Sequence, residues 1–247
     1  MSDSTVIPLP TRPRACTHAQ TGIDCAHCDV RLIAVCSALR RDELASIERI
    51  AHTLCYAPKE TLFLENDPAD SAYTLTRGAL RLYRVFADGR RQVIGFLLPG
   101  DFIGIEDDGY RRFSADAVTE VTLCHYPKRD FARLVDDKPH LLQQLYRTAA
   151  HDLIDARDHM MALGQRSARE KIAWFLIHLR NRFARGGTPS DQIEVPMSRQ
   201  DIGDYLGLTI ETVSRTLTRL AREGTVEISP RGITLKDARK IERLAAA

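Results

Sequence analysis

The chain has 247 residues, of which 44% are hydrophobic and 28% charged, with a formal net charge of +2. These values are typical of a globular protein of one or two domains. No run approaches the roughly eighteen apolar residues of a membrane span, and residues 1–5 show no basic stretch before an apolar one. We therefore expect a cytoplasmic protein with neither a secretory signal nor a membrane partner.

The N-terminal part is marked by cysteines. Cys25 and Cys28 form a C-x2-C pair, Cys36 follows after seven intervening residues, and Cys124 stands far along the chain. Cytoplasmic cysteines are more often metal ligands or redox sensors than disulfides. A C-x2-C turn lets two thiolates reach one metal centre, and thiolate sets of this kind suit zinc or an iron–sulfur cluster. Residues 1–24 lack periodicity and are expected to form a flexible leader.

A helix is predicted over residues 41–54, because Leu44, Ile47 and Ile50 recur at helical spacing. Between residues 56 and 126 the pattern changes to short runs of strand-forming residues separated by turns. Short strands at such regular spacing predict a small antiparallel β-roll or barrel. The strand-like runs are residues 74–76, 79–86 and 92–98.

Pro139 is predicted to begin a long helix that runs to about Gly164, and a second helix is predicted from Ala168 to about Ala184. The long helix carries an apolar stripe whose members recur at alternating spacings of three and four residues. Such a stripe is typical of a coiled-coil seam and predicts a homodimer, although the same face could instead pack on the β-roll. The stripe consists of Tyr146, Ala149, Leu153, Ala156, Met160 and Leu163.

The C-terminal part, residues 165–247, holds 15 Lys and Arg against 10 Asp and Glu, a mildly basic balance that fits nucleic acid. Within it, Ser198 can cap a helix that begins at Arg199. Gly207 can supply a turn, and Thr209 can cap a second helix. This pattern is typical of a DNA-binding helix-turn-helix, and an ordinary helical hairpin with a solvated charged face is the alternative.

The second helix of this motif is predicted to bury one face, formed by Ile210, Val213, Leu217 and Leu220. Its outward face carries a Glu that can accept from cytosine, an Arg that can donate to guanine, and a Ser that can contact several bases. A wing of two strands is predicted at residues 225–229 and 233–235. The residues predicted to contact DNA are Ser198, Arg199, Thr209, Glu211, Thr212, Ser214, Arg215 and Arg219.

From about Tyr56 to its C-terminus, the chain resembles the CRP/FNR family of bacterial transcription regulators, and more closely its FNR branch. The E-x-x-S-R motif of that branch matches Glu211, Ser214 and Arg215, which the resemblance implies to be the base readers. It further implies a homodimer that binds a palindrome like TTGAT-N4-ATCAA, contacts RNA polymerase and activates transcription, and no enzyme activity. The twofold symmetry of such a site matches the predicted seam.

The fold that the resemblance implies is α+β. An N-terminal antiparallel β-roll, similar to a cyclic-nucleotide-binding domain, would precede a long dimerisation helix and a C-terminal winged helix-turn-helix. The expected divisions are residues 1–24 for the leader, 25–137 for the cysteine segment and β-roll, 138–164 for the dimerisation helix and 165–247 for the DNA-binding domain.

Cyclic AMP is the ligand of the catabolite activator protein, a member of the same family. Its pocket uses a Glu after a Gly and an Arg–Ser pair that holds the phosphate. Here Ile105 follows Gly104, and Phe113 precedes Ser114, so neither charged group is in register. A phosphate without its bidentate Arg should bind poorly, and no cyclic nucleotide is expected.

The oxygen sensor FNR instead holds a [4Fe–4S] cluster on three N-terminal cysteines and one from the β-roll. Cys25, Cys28, Cys36 and Cys124 resemble that set. The best-known enterobacterial members have five residues between the second and third cysteines, whereas the seven found here resemble FNR-like proteins of alphaproteobacteria. Outside the set, a bystander role is expected for Cys16, and a small buried hydrophobe for Cys55.

The resulting hypothesis is an oxygen-responsive, DNA-binding transcription regulator with a [4Fe–4S] cluster. A regulator of the same family that holds structural zinc, or that answers nitric oxide or another oxidant, is the alternative. A metal-dependent enzyme is disfavoured, because four thiolates leave no open coordination position and no general base nearby.

Overall fold

The computed structural model describes residues 24–104, 109–164, 166–187, 189–230 and 232–246. Apart from Asp24, the predicted leader lies outside the described residues, and so does Cys16. The chain forms two compact units, one ending at Ala149 and the other beginning at Ala150. In the described part of the chain, no helix combines the length and the apolar character needed to cross a membrane.

The described part of the first unit contains eight strands, which are β1 (His52–Tyr56), β2 (Thr61–Phe63), β3 (Ser71–Arg77), β4 (Leu80–Val85), β5 (Arg91–Leu97), β6 (Phe102–Ile103), β7 (Ser114–Ala117) and β8 (Val121–Pro127). They form two antiparallel sheets with the orders β1-β8-β3-β6 and β2-β7-β4-β5. The predicted runs at 74–76, 79–86 and 92–98 fall on β3, β4 and β5. The expected antiparallel β-roll is therefore confirmed.

The two sheets enclose an apolar interior, called here the roll core. Successive side chains of a strand point to opposite faces, so each strand gives every second residue to this interior. On β8, for example, Val121 and Leu123 face inward. The buried members of the roll core are Tyr56, Leu62, Phe63, Leu75, Leu80, Ile103, Ala115, Ala117, Val121 and Leu123.

The other face of the β1-β8-β3-β6 sheet is covered by a second apolar cluster, called here the outer core. The cysteine-bearing segment packs there together with α1 (Leu44–Glu48), α2 (Lys128–Asp137) and the start of α3 (Pro139–Leu163). The start of α3 agrees with the prediction, whereas α2 was not predicted. The buried members of the outer core are Cys25, Val30, Ala34, Val35, Cys36, Leu39, Leu44, Ile47, Ala51, Ala72, Phe102, Tyr126, Phe131, Leu134 and Leu141.

Two expectations for this region are wrong. The helix predicted over residues 41–54 is short, since α1 ends at Glu48 and β1 follows. Leu54 and Tyr56 alternate into the roll core, and this period of two favours a strand over continued helix. Cys55 lies between them, so its side chain points away from the roll core; it is half-buried and is not among the free thiols.

Beyond α3, the described part of the second unit contains four helices and a small three-stranded sheet. The helices are α4 (Ala168–Phe183), α5 (Arg199–Leu206), α6 (Ile210–Arg222) and α7 (Ala238–Ala246). The sheet has the order β10-β11-β9 and is formed by β9 (Gln192–Ile193), β10 (Val226–Ser229) and β11 (Gly232–Leu235). The predicted second helix, helix-turn-helix and wing are confirmed, whereas β9 and α7 were not predicted.

A buried lysine joins two helix ends within this unit. The Lys171 ammonium donates to the Leu163 carbonyl at the end of α3, at 3.2 Å, and to the Leu206 carbonyl at the end of α5, at 3.3 Å. The last carbonyls of a helix lack intrahelical partners and attract cations. His159 Nε2 lies 2.8 Å from the Tyr205 carbonyl oxygen and donates to it, which adds a second link at the same place.

Glu43 is a buried carboxylate where the cysteine-bearing segment meets α3, and 5% of its side chain is exposed. It accepts from Lys138 Nζ and from His140 Nε2, both at 3.0 Å, and from the backbone N–H of Arg40, also at 3.0 Å. The Arg40 N–H, followed by the Lys138 ammonium, lowers the pKa of Glu43 to about 2. His140 stands in the first turn of α3, so the negative charge of Glu43 lies close to the N-terminal end of that helix. The positive end of the helix dipole stabilises a negative charge there.

We expect Glu43→Gln to destabilise the first unit at neutral pH, because Lys138 and His140 lose their anionic partner. The folded-state pKa lies below the ordinary value of 4.5, so the charge stabilises the fold above that pH, and this contribution is lost as the pH falls towards 2. Urea unfolding followed by circular dichroism at neutral and at acidic pH measures the effect. The difference from wild type should shrink in acid, whereas the exposed Glu120→Gln control should change little at either pH. A difference that is independent of pH would contradict this role of Glu43.

Candidate functional site

The structure brings the four predicted metal ligands to one region of the first unit, at the outer core. Cys25 and Cys36 are buried in separate 3-10 turns, and Cys124 lies half-buried on β8. Cys28 is half-buried at the end of the first turn, and all four side chains are free thiols. Residues that are up to about a hundred positions apart in sequence therefore form one cluster.

A short turn presents the C-x2-C pair. Asp24 Oδ1 accepts from the backbone N–H groups of Ala26, at 3.0 Å, and His27, at 3.3 Å, and so caps the turn. The backbone N–H of Cys25 donates to Glu48 Oε1 at 2.9 Å, which anchors the turn to α1. His27 Nδ1 lies 2.7 Å from Asp24 Oδ2, and both side chains are exposed, so this pair stabilises the turn at the protein surface.

Burial raises the pKa of Cys25 and of Cys124 to about 12, and that of Cys36 to about 11. The charge of at least one other cysteine raises the pKa of each of these three thiols further, and Cys28 contributes in all three cases. Charges perturb one another in this way at short range, in keeping with the packing of all four cysteines in the outer core. Four thiolates would repel one another there, and a metal cation bound among them would remove that cost.

Two observations bear on the kind of metal group that this set fits. Within the described ranges, no three His, Cys, Asp or Glu side chains converge closely enough to hold one metal ion. Thr74 stands opposite Cys124 in the β3–β8 pairing, is buried, and has no hydrogen-bond partner for its hydroxyl among the described atoms. A buried hydroxyl without a partner is costly, so this wall of the site offers a donor to a bound group. Thiolate ligands with such a donor beside them are compatible with an iron–sulfur cluster.

The buried guanidinium of Arg111 has a structural role in the β-roll. Arg111 is buried with its guanidinium 4.4 Å from the Phe63 ring centre and 5.4 Å from the Tyr73 ring centre, and it donates to the Ser71 carbonyl. Ser114, the residue that would belong to an Arg–Ser pair, accepts from the backbone N–H of Glu65 at 3.0 Å. The predicted departure at Ile105 lies outside the described residues.

The apolar stripe predicted on α3 is largely uncovered. Its exposed members are Tyr146, Leu153, Ala156 and Met160, of which Tyr146 is 75% exposed and Met160 63%. Ala149 and Leu163 are half-buried. Tyr146, which lies in the first unit, is therefore not covered by the β-roll. The sequence prediction missed further exposed apolar residues on the same helix, which are Leu142, Ile154 and Met161.

The two helices of the helix-turn-helix begin and end as predicted. Ser198 Oγ accepts from the Asp201 backbone N–H at 3.1 Å, and Asp201 Oδ2 accepts from the Ser198 N–H at 3.2 Å, so the pair forms a capping box. Gly207 ends α5 in the left-handed region with φ +64, which favours glycine. Thr209 Oγ1 accepts from the Thr212 N–H at 3.2 Å and caps α6.

Helix α6 buries a narrower face than predicted. Val213, Leu217 and Leu220 are buried, but Ile210 is 38% exposed, so its predicted burial is wrong. Ile210 is the first residue of the helix, and its side chain points towards the N-terminus, beyond the turn that packs on α5. The predicted DNA contacts that are exposed are Ser198, Thr209, Glu211, Arg215 and Arg219, whereas Arg199, Thr212 and Ser214 are half-buried.

Two charges on α6 have local partners. The backbone N–H of Glu211 itself, then the Thr209 hydroxyl and the charge of Arg215, lower the pKa of Glu211, so this residue is a carboxylate at neutral pH and acts as an acceptor. Arg219 Nε donates to Glu223 Oε1 at 3.1 Å, one turn along the helix. The Arg219 side chain is 71% exposed, so this pair adds little stability.

Comparison with known proteins supports this assignment of the parts. A family model described as a Crp-like helix-turn-helix domain matches residues 170–244, and one described as a cyclic nucleotide-binding domain matches residues 53–138. The chain is 47% identical to the nitrogen fixation regulation protein FixK of Bradyrhizobium diazoefficiens, over 90% of this chain and 94% of that protein. It is 33% identical to the transcriptional activator protein FnrL of Cereibacter sphaeroides, over 83% and 84% of the two chains.

The solved structure of FixK2 from Bradyrhizobium japonicum has the same fold, with a TM-score of 0.74 and 34% identity, covering 80% of this chain and 98% of that one. Relatives of this kind are regulators and not enzymes. The extensive identity to FixK and FnrL, together with the β-roll, long helix and winged helix-turn-helix, identifies a DNA-binding transcription activator of the FNR/FixK type. The chain belongs to the CRP/FNR family of transcription regulators.

Proposed function

We propose that the protein is an oxygen-responsive regulator that holds a [4Fe–4S] cluster on Cys25, Cys28, Cys36 and Cys124. The observation that carries this proposal is the clustering of these four free thiols at the outer core, where the charge of Cys28 raises the pKa of Cys25, Cys36 and Cys124. When bound, such a cluster would supply a centre that dioxygen can oxidise.

A single zinc ion fits this geometry less well. The Zn–S distance is about 2.3 Å, so tetrahedral thiolate ligands of zinc stand about 4 Å from one another. In the described part of the chain, no group of three candidate ligands is placed to hold a single metal ion. A [4Fe–4S] cluster binds each thiolate through a different iron atom and accommodates a wider spacing of ligands.

The outer core gives the cysteine-bearing segment a physical link to the dimerisation helix. Leu141, in the first turn of α3, is packed in the same cluster as Cys25 and Cys36. Glu43 adds an ionic link between that segment and His140. The segment that holds the thiols and the beginning of α3 would therefore become ordered together, and loss of the cluster would weaken both. This provides a two-state element that a local chemical event can bias.

The partner of the protein in this function is double-stranded DNA carrying a palindrome like TTGAT-N4-ATCAA, read by a homodimer in the bacterial cytoplasm. The capped helix α6 presents Glu211, Ser214 and Arg215 in or beside its exposed face, where they can reach the major groove. Contact with RNA polymerase is proposed at the β4–β5 hairpin, where Phe86 is exposed at the tip.

Replacing any one of Cys25, Cys28, Cys36 and Cys124 by Ser should abolish iron binding, because each is proposed to ligate a different iron atom. The measurement is iron and sulfide content after anaerobic purification in reducing buffer. Cys55→Ser is the matched control and should retain full iron. Full iron in Cys36→Ser would contradict the ligand set, and a colourless wild-type protein containing zinc would contradict the cluster itself.

Leu153→Glu should convert the dimer to monomers. Twofold symmetry would place two like charges in the desolvated seam, at a cost of several kcal/mol. Sedimentation of the anaerobic protein at micromolar concentration measures the change. His151→Glu introduces the same side chain at an exposed position of α3 outside the stripe and should leave the dimer intact. A dimeric Leu153→Glu protein would show that the seam lies elsewhere.

Loss of Arg215 or Glu211 should cost about 1–3 kcal/mol at the palindrome and relax one base position, because each is proposed to contact a base edge. Arg222→Ala is the control for a phosphate contact, since its exposed side chain follows the reading face along α6. It should weaken cognate and random duplexes equally and reduce the salt slope by about one unit. Binding titrations at two salt concentrations on single-base variants separate these effects. An unchanged ranking of variants for Glu211→Ala would mean that α6 does not read bases in this way.

A further inference from the structure

Glu223 follows the last residue of α6 and binds three cations from three different helices. Its Oε2 atom accepts from Arg169 Nη2, on α4, and from Lys240 Nζ, on α7, the latter at 3.4 Å. Its Oε1 atom accepts from Arg219 Nε, on α6, at 3.1 Å. Burial acts to raise the pKa of Glu223, but the three cations outweigh burial and lower the pKa, so the group is a carboxylate at neutral pH. One of its oxygen atoms is therefore held by the neighbouring helices, and the other is bonded to a residue of α6.

The three cations differ in their access to solvent. Arg169 and Lys240 are half-buried between the helices, whereas the Arg219 side chain is largely exposed. Arg219 stands four residues after Arg215, and residues at this spacing are neighbours on one side of a helix. It therefore lies beside the proposed base contacts. Of the three cations that bind Glu223, Arg219 is the one placed to reach a DNA phosphate.

A carboxylate and a phosphate compete for one guanidinium, because both offer it charged oxygen acceptors. An isolated exposed ion pair is weak, but Glu223 belongs to a network in which Arg169 and Lys240 already hold it in place. A phosphate must therefore displace a fixed acceptor before it gains Arg219. A random duplex offers no base contacts that keep α6 in the groove. On the palindrome, the proposed base contacts hold α6 there, which raises the effective concentration of phosphate at Arg219.

We propose that Glu223 is a specificity-determining residue, which withholds Arg219 from the phosphates of random DNA and releases it when α6 is bound at its palindrome. This inference rests on the proposed reading of a palindrome by α6. Non-specific binding comes from phosphate contacts, so a cation that is withheld lowers the affinity for random DNA and leaves the base contacts unchanged. Specificity is a difference between two affinities, and it rises when the competing complex alone is weakened.

The test is a set of binding titrations of the full-length anaerobic protein, on the palindrome and on a random duplex of equal length, at several salt concentrations. Glu223→Gln keeps the shape of the side chain and one acceptor oxygen and removes the charge. It should bind the random duplex about two- to fivefold more tightly at low salt, because the ion pair no longer competes. The salt slope on that duplex should steepen by about one unit. The affinity for the palindrome should change less, so the ratio of the two affinities falls.

Glu242→Gln is the matched control. It removes one negative charge from the same unit, and Glu242 Oε1 accepts from Arg180 Nη2 at 2.6 Å, so an ion pair is lost here too. Arg180 is half-buried on α4 and is not among the predicted DNA contacts. Both affinities should therefore stay close to those of wild type.

Arg219→Gln provides a second test that does not depend on the folding of Glu223→Gln. It should lower the salt slope on the palindrome by about one unit and the slope on the random duplex by much less, because Arg219 is withheld there. Combined with Glu223→Gln, it should abolish the gain on random DNA, since the released cation is absent.

Two results would overturn the inference while the preference for the palindrome stands. One is a Glu223→Gln protein, folded by circular dichroism, that binds random DNA no more tightly than wild type does, which would mean that Glu223 only braces α6. The other is an equal loss of slope on both duplexes in Arg219→Gln. A wild-type protein that binds the palindrome and random DNA equally would overturn the proposed reading of the palindrome, and the role of Glu223 with it.

Discussion

Strand β8 is the wall on which the first unit depends, because each of its faces belongs to a different apolar core. Val121 and Leu123 point into the roll core, whereas Tyr126 packs in the outer core with Cys124 beside it. A strand with two buried faces must be covered on both sides. The cysteine-bearing segment supplies the second cover, so its thiols face a sheet that the β-roll already holds rigid.

The same outer core includes the first turn of α3. Leu141 is fully buried there, and the carboxylate of Glu43 accepts from Lys138 and His140 on either side of the helix start. Apolar packing at Leu141 and ion pairs at Glu43 thus join the cysteine-bearing segment to α3. The thiols and the start of α3 therefore belong to one packed cluster, which is the kind of contiguous network through which a local change can be transmitted.

Much of this arrangement could be predicted from the sequence where one local rule decides the outcome. The caps at Ser198 and Thr209 follow from side chains that satisfy backbone N–H groups, and the stripe on α3 follows from its spacing. Where tertiary contacts decide, prediction failed. Residues 52–56 continue a helical spacing yet pair with β8, and Ile210 matches the apolar pattern yet extends past the packed turn.

The residues around the thiols also differ in whether a local sequence rule or a tertiary contact reveals them. The C-x2-C pair marks itself in the sequence, but Thr74 and Tyr126 carry no motif. Thr74 is recognised through its pairing with Cys124 on the adjacent strand, which depends on the register of β3 and β8. Tyr126 shares the face of Cys124 by strand alternation, a signal that is present in the sequence once β8 is assigned. Its burial follows from α2, which the sequence did not predict.

Lys171 has a mechanical consequence for DNA recognition. Its ammonium is bonded at once to the last turn of α3 and the last turn of α5, and His159 holds the neighbouring carbonyl of Tyr205. Any rotation of α5 about the end of α3 would strip a buried cation of its acceptors, a loss of the kind that costs several kcal/mol. The junction between the ends of α3 and α5 therefore resists rotation. A displacement of the end of α3 would therefore be passed on to α5, and in a dimer the orientation of each helix-turn-helix would depend on the angle at which the two long helices cross.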